Sequence, residues 1–108
     1  IELGTCSISM TVREEMVNGF GIAHGGITFS LADSAFAFAS NSQGRKAMSI
    51  ECNINHLAQV KVGDRLTAIA KESSISNKLA VYHIEVMDQT SKKVALFKGM
   101  VYRTSSDW

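Results

Sequence analysis

Two periods run along this chain. Cys6, Ile8, Met10 and Val12 alternate with Ser7, Ser9 and Thr11, and Met48, Ile50, Cys52 and Ile54 alternate with Ser49, Glu51, Asn53 and Asn55. A period of two sends successive side chains to opposite faces, so each run predicts a half-buried strand. Segments 66–71, 79–87 and 94–103 alternate less strictly but still read as strands. The stretches 74–77 and 88–92 between them have hairpin-loop composition, which predicts an antiparallel meander for the last three strands. Residues 13–23 form a loop rich in turn formers, including Asn18-Gly19 and Gly21.

Residues 27–42 break the alternation. Ile27, Phe29, Leu31, Ala32, Ala35, Phe36, Phe38 and Ala39 leave one small or polar stripe: Ser30, Asp33, Ser34, Ala37 and Asn41. That stripe follows the spacing of one side of a helix, and a helix that is apolar almost all round is a buried one. One buried helix after the first strand of an otherwise antiparallel sheet is an α+β domain with the sheet wrapped round the helix.

Composition changes this picture little. The 108 residues make one domain spanning 1–108, with 45% hydrophobic and 19% charged residues, which is globular. There is no Pro and therefore no Pro-rich linker. A net charge of +1 gives no general attraction to nucleic acid or an anionic membrane. No apolar run reaches the roughly 20 residues of a membrane span. No signal peptide is read in the chain, which starts at Ile1 without Met, and residues upstream are expected. Cys6 and Cys52 both lie in line with apolar neighbours, which predicts two reduced core thiols in a cytoplasmic protein. So short a domain has little room for both a core and a deep private pocket.

The candidate chemistry centres on the helix. Asp33 lies well inside it, where an Asp is out of place unless it is solvated, hydrogen-bonded or functional. Upstream, His24-Gly25-Gly26 opens the helix. A glycine pair there admits another group close to the backbone, and first-turn N–H groups at the positive end of the helix dipole can polarise a carbonyl oxygen. A plain tight turn explains the glycines equally well. The two features stand two turns apart, about 11 Å. Both could act on one carbonyl only if a second copy brought its Asp33 beside the first copy's Gly25. His24, His56 and His83 lack metal-ligand spacing, so no metal is predicted. The Gly19-x-Gly21 run lacks the strand and helix that a dinucleotide loop needs.

The run Asn18-Gly19 followed by His24-Gly25-Gly26-Ile27-Thr28-Phe29-Ser30-Leu31-Ala32-Asp33-Ser34-Ala35-Phe36-Ala37 resembles the signature of hotdog-fold acyl-CoA thioesterases of the PaaI type, which serve phenylacetate degradation. Asn41-Ser42-Gln43-Gly44 and Val62-Gly63-Asp64-Arg65-Leu66 extend the resemblance over almost the whole chain. It implies a hotdog fold and hydrolysis of phenylacetyl-CoA or a ring-hydroxylated relative. Asp33 takes the place of the catalytic carboxylate, as nucleophile or general base. Gly25 takes that of the glycine whose N–H polarises the thioester carbonyl, and Asn18 that of the loop side chain beside it. His24, Gly26, Phe20 and Phe36 fall to substrate binding, with Phe20, Phe36 and Phe38 as candidates to line an aryl pocket and at least one of the three expected in the core. The family's site spans a homodimer, and dimers commonly pair into homotetramers. No cofactor is implied beyond the coenzyme A of the substrate itself. The alternatives are a hotdog dehydratase and a non-catalytic acyl-CoA-binding module. One stretch departs: where relatives commonly read N-I-x-F-L-R-P, residues 53–59 read N-I-N-H-L-A-Q, so no phosphate-binding Arg carries over to Ala58.

Overall fold

The computed structural model describes residues 4–16 and 25–107. Strand β1 (Thr5–Thr11) and a short turn of 3-10 helix (Glu14–Met16) precede helix α1 (Gly25–Asn41). Strands β2 (Arg45–His56), β3 (Arg65–Ile75), β4 (Leu79–Met87) and β5 (Lys93–Asp107) follow. They form one antiparallel sheet in the order β1-β3-β4-β5-β2, so β1 and β2 are its edges. The meander β3-β4-β5 lies as the hairpin loops predict, and the fold is the expected hotdog arrangement of a sheet against one helix.

The elements run longer than the alternation suggested. The helix starts at Gly25 and not Ile27, and β2, β3 and β5 each extend beyond the runs read from the sequence. Polar positions such as Lys46, Ser73 and Thr104 are tolerated there because they lie on exposed or half-exposed strand ends. The turn from β4 to β5 is closed by Asp88. Its Oδ1 accepts the Thr90 hydroxyl at 2.7 Å, the Thr90 N–H at 2.9 Å and the Lys92 N–H at 3.1 Å. These bonds, the Thr90 hydroxyl first, hold the carboxyl below its ordinary value. Their contribution is therefore present above the ordinary carboxylate range and is lost as pH falls through the depressed value.

The core lies between α1 and the sheet. Leu31, Ala32, Ala35, Phe36 and Ala39 repeat on one helix face and meet Leu66, Ala68, Ala70, Tyr82, Ile84, Val86, Ala95 and Phe97. The alanines let helix and sheet approach closely. Phe36 is the one large side chain among them that must find a gap, and Gly99 supplies it. A Cβ added at Gly99 would stand 2.5 Å from the tip of the Phe36 ring. The ring also lies 5.6 Å from Phe97 and 6.0 Å from Tyr82, in tilted contacts. Burial raises the pKa of the Cys6 thiol, which keeps it protonated and unreactive.

The reading of β2 as half-buried needs correction. Met48 is 61% exposed and Ile50 54%, and Cys52 is an exposed free thiol, not a core one. The reason is position. β2 pairs only with β5, a register shift between Ser49 and Glu51 interrupts its alternation, and only Ala47 and Ile54 pack against the core.

Gly99→Ala should displace the Phe36 ring and cost about 1–3 kcal/mol of stability by overpacking. Urea unfolding would measure it, and an unchanged midpoint would show that the ring moves aside freely.

Candidate active site

The chain turns sharply after α1. Asn41 Nδ2 donates to the Ala37 carbonyl at 2.9 Å, while its Oδ1 accepts the Ala47 N–H at 3.0 Å. One side chain thus ties the end of the helix to the start of β2. The strand then runs back beside α1. Seventeen helical residues span about 26 Å, and twelve strand residues about 40 Å. The end of β2 therefore has ample reach to return to the start of α1.

His56 is the residue that arrives there. A Cβ on Gly25 would lie 3.2 Å from its Nε2 and 3.3 Å from its Cε1. The glycine is thus what lets the imidazole sit against the first turn of the helix. Gly26 differs, since a Cβ there would meet nothing within 4 Å. Of the glycine pair, only the first is closely approached by another side chain among the described residues.

A cleft of about 390 Å³ opens at this junction, lined by Gly25, Thr28, His56, Leu57, Ala58, Gln59 and Val60. The segment after β2 is held in place by Leu57 N–H and Ala58 N–H, which donate to the Val94 carbonyl at 2.8 and 3.3 Å. Helix geometry leaves the first-turn N–H groups without partners inside the helix. A carbonyl oxygen placed in the cleft would meet these donors at the positive end of the dipole.

Asp33 stands two turns further along α1. It is half-buried, on the stripe that exposes Ser30, Ser34 and Ala37. It does not line the cleft, and among the described residues no hydrogen bond or ion pair engages its carboxylate. Phe36, expected at the acyl pocket, is instead a core ring only 2% exposed and seated over Gly99, so it lines neither cleft nor surface. Asn18, Phe20 and His24 lie outside the described residues. The reading of the sequence missed Thr28, Gln59 and above all His56 as cleft residues. No spacing in the sequence singled out His56, whose place follows from the return of β2 to the helix start.

A second hollow of about 510 Å³ lies on the sheet face away from α1, among Ile69, Lys71, Glu72, Ser73, His83 and Glu85. Ser73 Oγ and His83 Nδ1 are hydrogen-bonded there. It contains none of the predicted site residues. No described helix is long and apolar enough to cross a membrane.

Gly25→Ala should shift the His56 ring signals in an NMR spectrum, whereas Gly26→Ala should leave them in place and keep the protein folded. Unmoved His56 signals in the Gly25 variant would show that the ring does not rest on the helix start.

Residues 20–95 match the profile of the thioesterase superfamily. Over 100 residues the chain is 45% identical to the acyl-coenzyme A thioesterase PaaI of Escherichia coli, covering 93% of this chain and 71% of that protein. The solved E. coli PaaI, from the phenylacetic acid degradation operon, superposes with a TM-score of 0.94 at 43% identity, over 97% of this chain and 76% of the other. A mutant of the phenylacetic acid degradation protein PaaI of Thermus thermophilus gives 0.92 at 38% identity, over 96% and 89%. A Streptococcus mutans protein bound to acetyl-CoA gives 0.93 at 27% identity, over 99% and 86%. With most of its length matched in sequence and its sheet and helix superposing on solved relatives, the chain belongs to the thioesterase superfamily, as a hotdog-fold thioester hydrolase of the PaaI type.

Proposed function

We propose that the chain hydrolyses acyl-CoA thioesters to a carboxylic acid and coenzyme A, with arylacetyl groups such as phenylacetyl or hydroxyphenylacetyl as the acyl part. The observation that carries this is a helix start, at Gly25, opening into a cleft that a thioester carbonyl can enter. The similarity to PaaI proteins supports the coenzyme A thioester and the aryl group. The Streptococcus relative bound to acetyl-CoA supports the former independently.

Hydrolysis asks for two things. Negative charge on the carbonyl oxygen must be stabilised, and an oxygen nucleophile must reach the carbon. Pre-oriented backbone donors do the first without reorganising during the reaction. Asp33 serves the second, either by taking a proton from water or by attacking the carbon itself. Asn18 is taken as a carbonyl donor or water-positioner and His24 as a substrate contact, and the open space at Gly26 leaves room for substrate. Water is the only co-reactant, and coenzyme A enters as part of the substrate, so the reading needs no other cofactor.

Gly25 and Asp33 of one copy are too far apart to share a carbonyl, so the reading includes a homodimer in which each site takes Asp33 from the other copy. Support comes from β2. It is a twelve-residue edge strand beside the exposed Met48, Ile50 and Phe38, an edge that soluble proteins cover or blunt. Pairing of β2 with its symmetry mate would continue the sheet and close the edge. Exposed Leu96 and Tyr102 on the outer sheet face offer a surface for pairing two dimers into a tetramer. Two free thiols fit a cytoplasmic setting.

Asp33→Ala and Asp33→Asn should lower thiol release from phenylacetyl-CoA by about 10²–10⁴-fold while the protein stays folded. Mixing Asp33→Ala with Asn18→Ala subunits should give more activity than either variant alone, because one site of each mixed dimer is intact. Wild-type turnover by Asp33→Ala would remove the carboxylate from the mechanism. Failure to complement would remove the shared site.

A further inference from the structure

We propose that His56 is the acid that protonates the departing coenzyme A sulfur. The inference rests on the thioesterase reading above and assigns a further catalytic group within it. Among the described residues lining the cleft, His56 is the only one with a side chain of the acid–base type, an imidazole. Its Nε2 is the ring atom nearest to where a Cβ on Gly25 would stand, at 3.2 Å. If the Gly25 N–H holds the carbonyl oxygen, the thioester sulfur is bonded to the same carbon and lies within a few ångströms of that oxygen. The imidazole is therefore placed beside the bond that must break. No hydrogen bond among the described residues commits its ring nitrogens elsewhere, and the exposed ring can exchange protons with solvent.

The step balances as follows. Water adds to the carbonyl carbon as Asp33 of the second copy takes one of its protons, giving a tetrahedral oxyanion at the helix start. The oxyanion collapses, the C–S bond breaks, and its electron pair goes to sulfur. Sulfur takes the proton from Nε2 of the imidazolium, leaving neutral imidazole. The proton held by Asp33 passes through solvent back to His56, so that water and thioester have become acid and thiol. A thiol holds its proton more tightly than an imidazole does, so this transfer runs downhill. It also removes the thiolate, which would otherwise attack the product side again.

The test compares two leaving groups on the same acyl part. Phenylacetyl-CoA has an alkyl thiol leaving group, whereas a phenylacetyl thioester of p-nitrothiophenol expels a stabilised thiolate that needs no proton. His56→Phe should lower kcat on the coenzyme A thioester by about 10²-fold and leave kcat on the nitrophenyl thioester within a few-fold of wild type. His56→Gln, which keeps a polar side chain of similar reach but cannot supply a proton at neutral pH, should behave the same way. It also guards against loss of folding in the Phe variant. Equal losses on both substrates would show that the ring only shapes the cleft, and no loss on either would remove His56 from catalysis. Wild-type protein that releases no thiol from either compound would overturn the thioesterase reading itself, a result visible before any variant is compared.

Discussion

The seating of the Phe36 ring over Gly99 sets the rest of the structure. A helix turns about 100° per residue, so fixing one large side chain against the sheet fixes the rotation of all others. With Phe36 pointing down, Leu31, Ala32, Ala35 and Ala39 also meet the sheet, and the sheet buries them at 7% exposure or less. Phe38 then points roughly 200° away, and it is 54% exposed. Asp33 falls at the flank between the two, half-buried. The same packing sets the height of the helix above the sheet, and with it the position of Gly25 beside the end of β2.

Much of this was legible in the sequence because burial imposes periodicity. The helix, its stripe and the strands β1, β3, β4 and β5 each carry an apolar face that meets the core, so their patterns survive as signals. β2 misleads for the same reason in reverse. Met48, Ile50 and Cys52 alternate as if buried, yet one copy of the chain leaves them exposed. Periodicity reports that a face is covered, not by what. Phe36 shows the complementary limit. As a phenyl ring in a helix beside catalytic candidates it suited an aryl pocket as well as a core, and only the missing Cβ of Gly99, sixty-three positions later, decides between them.

The candidate site was half legible. Asp33 and Gly25 stand out because each sits where its residue type is locally unusual. His56 does not, since a histidine closing a strand is unremarked in any one-dimensional pattern. Its importance comes from a contact between residues 25 and 56 that arises when β2 doubles back along α1. Long-range contacts of this kind leave no trace in spacing. The departure at residues 53–59 was visible, but it read as the loss of an Arg and a Pro, whereas the structure sets His56 of the same stretch in the cleft.

The exposed edge and the isolated carboxylate reduce to one problem. Among the described residues β2 has a strand neighbour on one side only, with exposed apolar side chains around it. Asp33 stands on the neighbouring helix flank, half-buried and without a hydrogen-bond partner among the described residues. A second copy related by a two-fold axis along that edge would pair the strand, bury Met48, Ile50 and Phe38, and carry each Asp33 toward the other copy's helix start. On this view the failure of β2 to match its own pattern and the distance between Gly25 and Asp33 would share one cause, a face that a second copy covers.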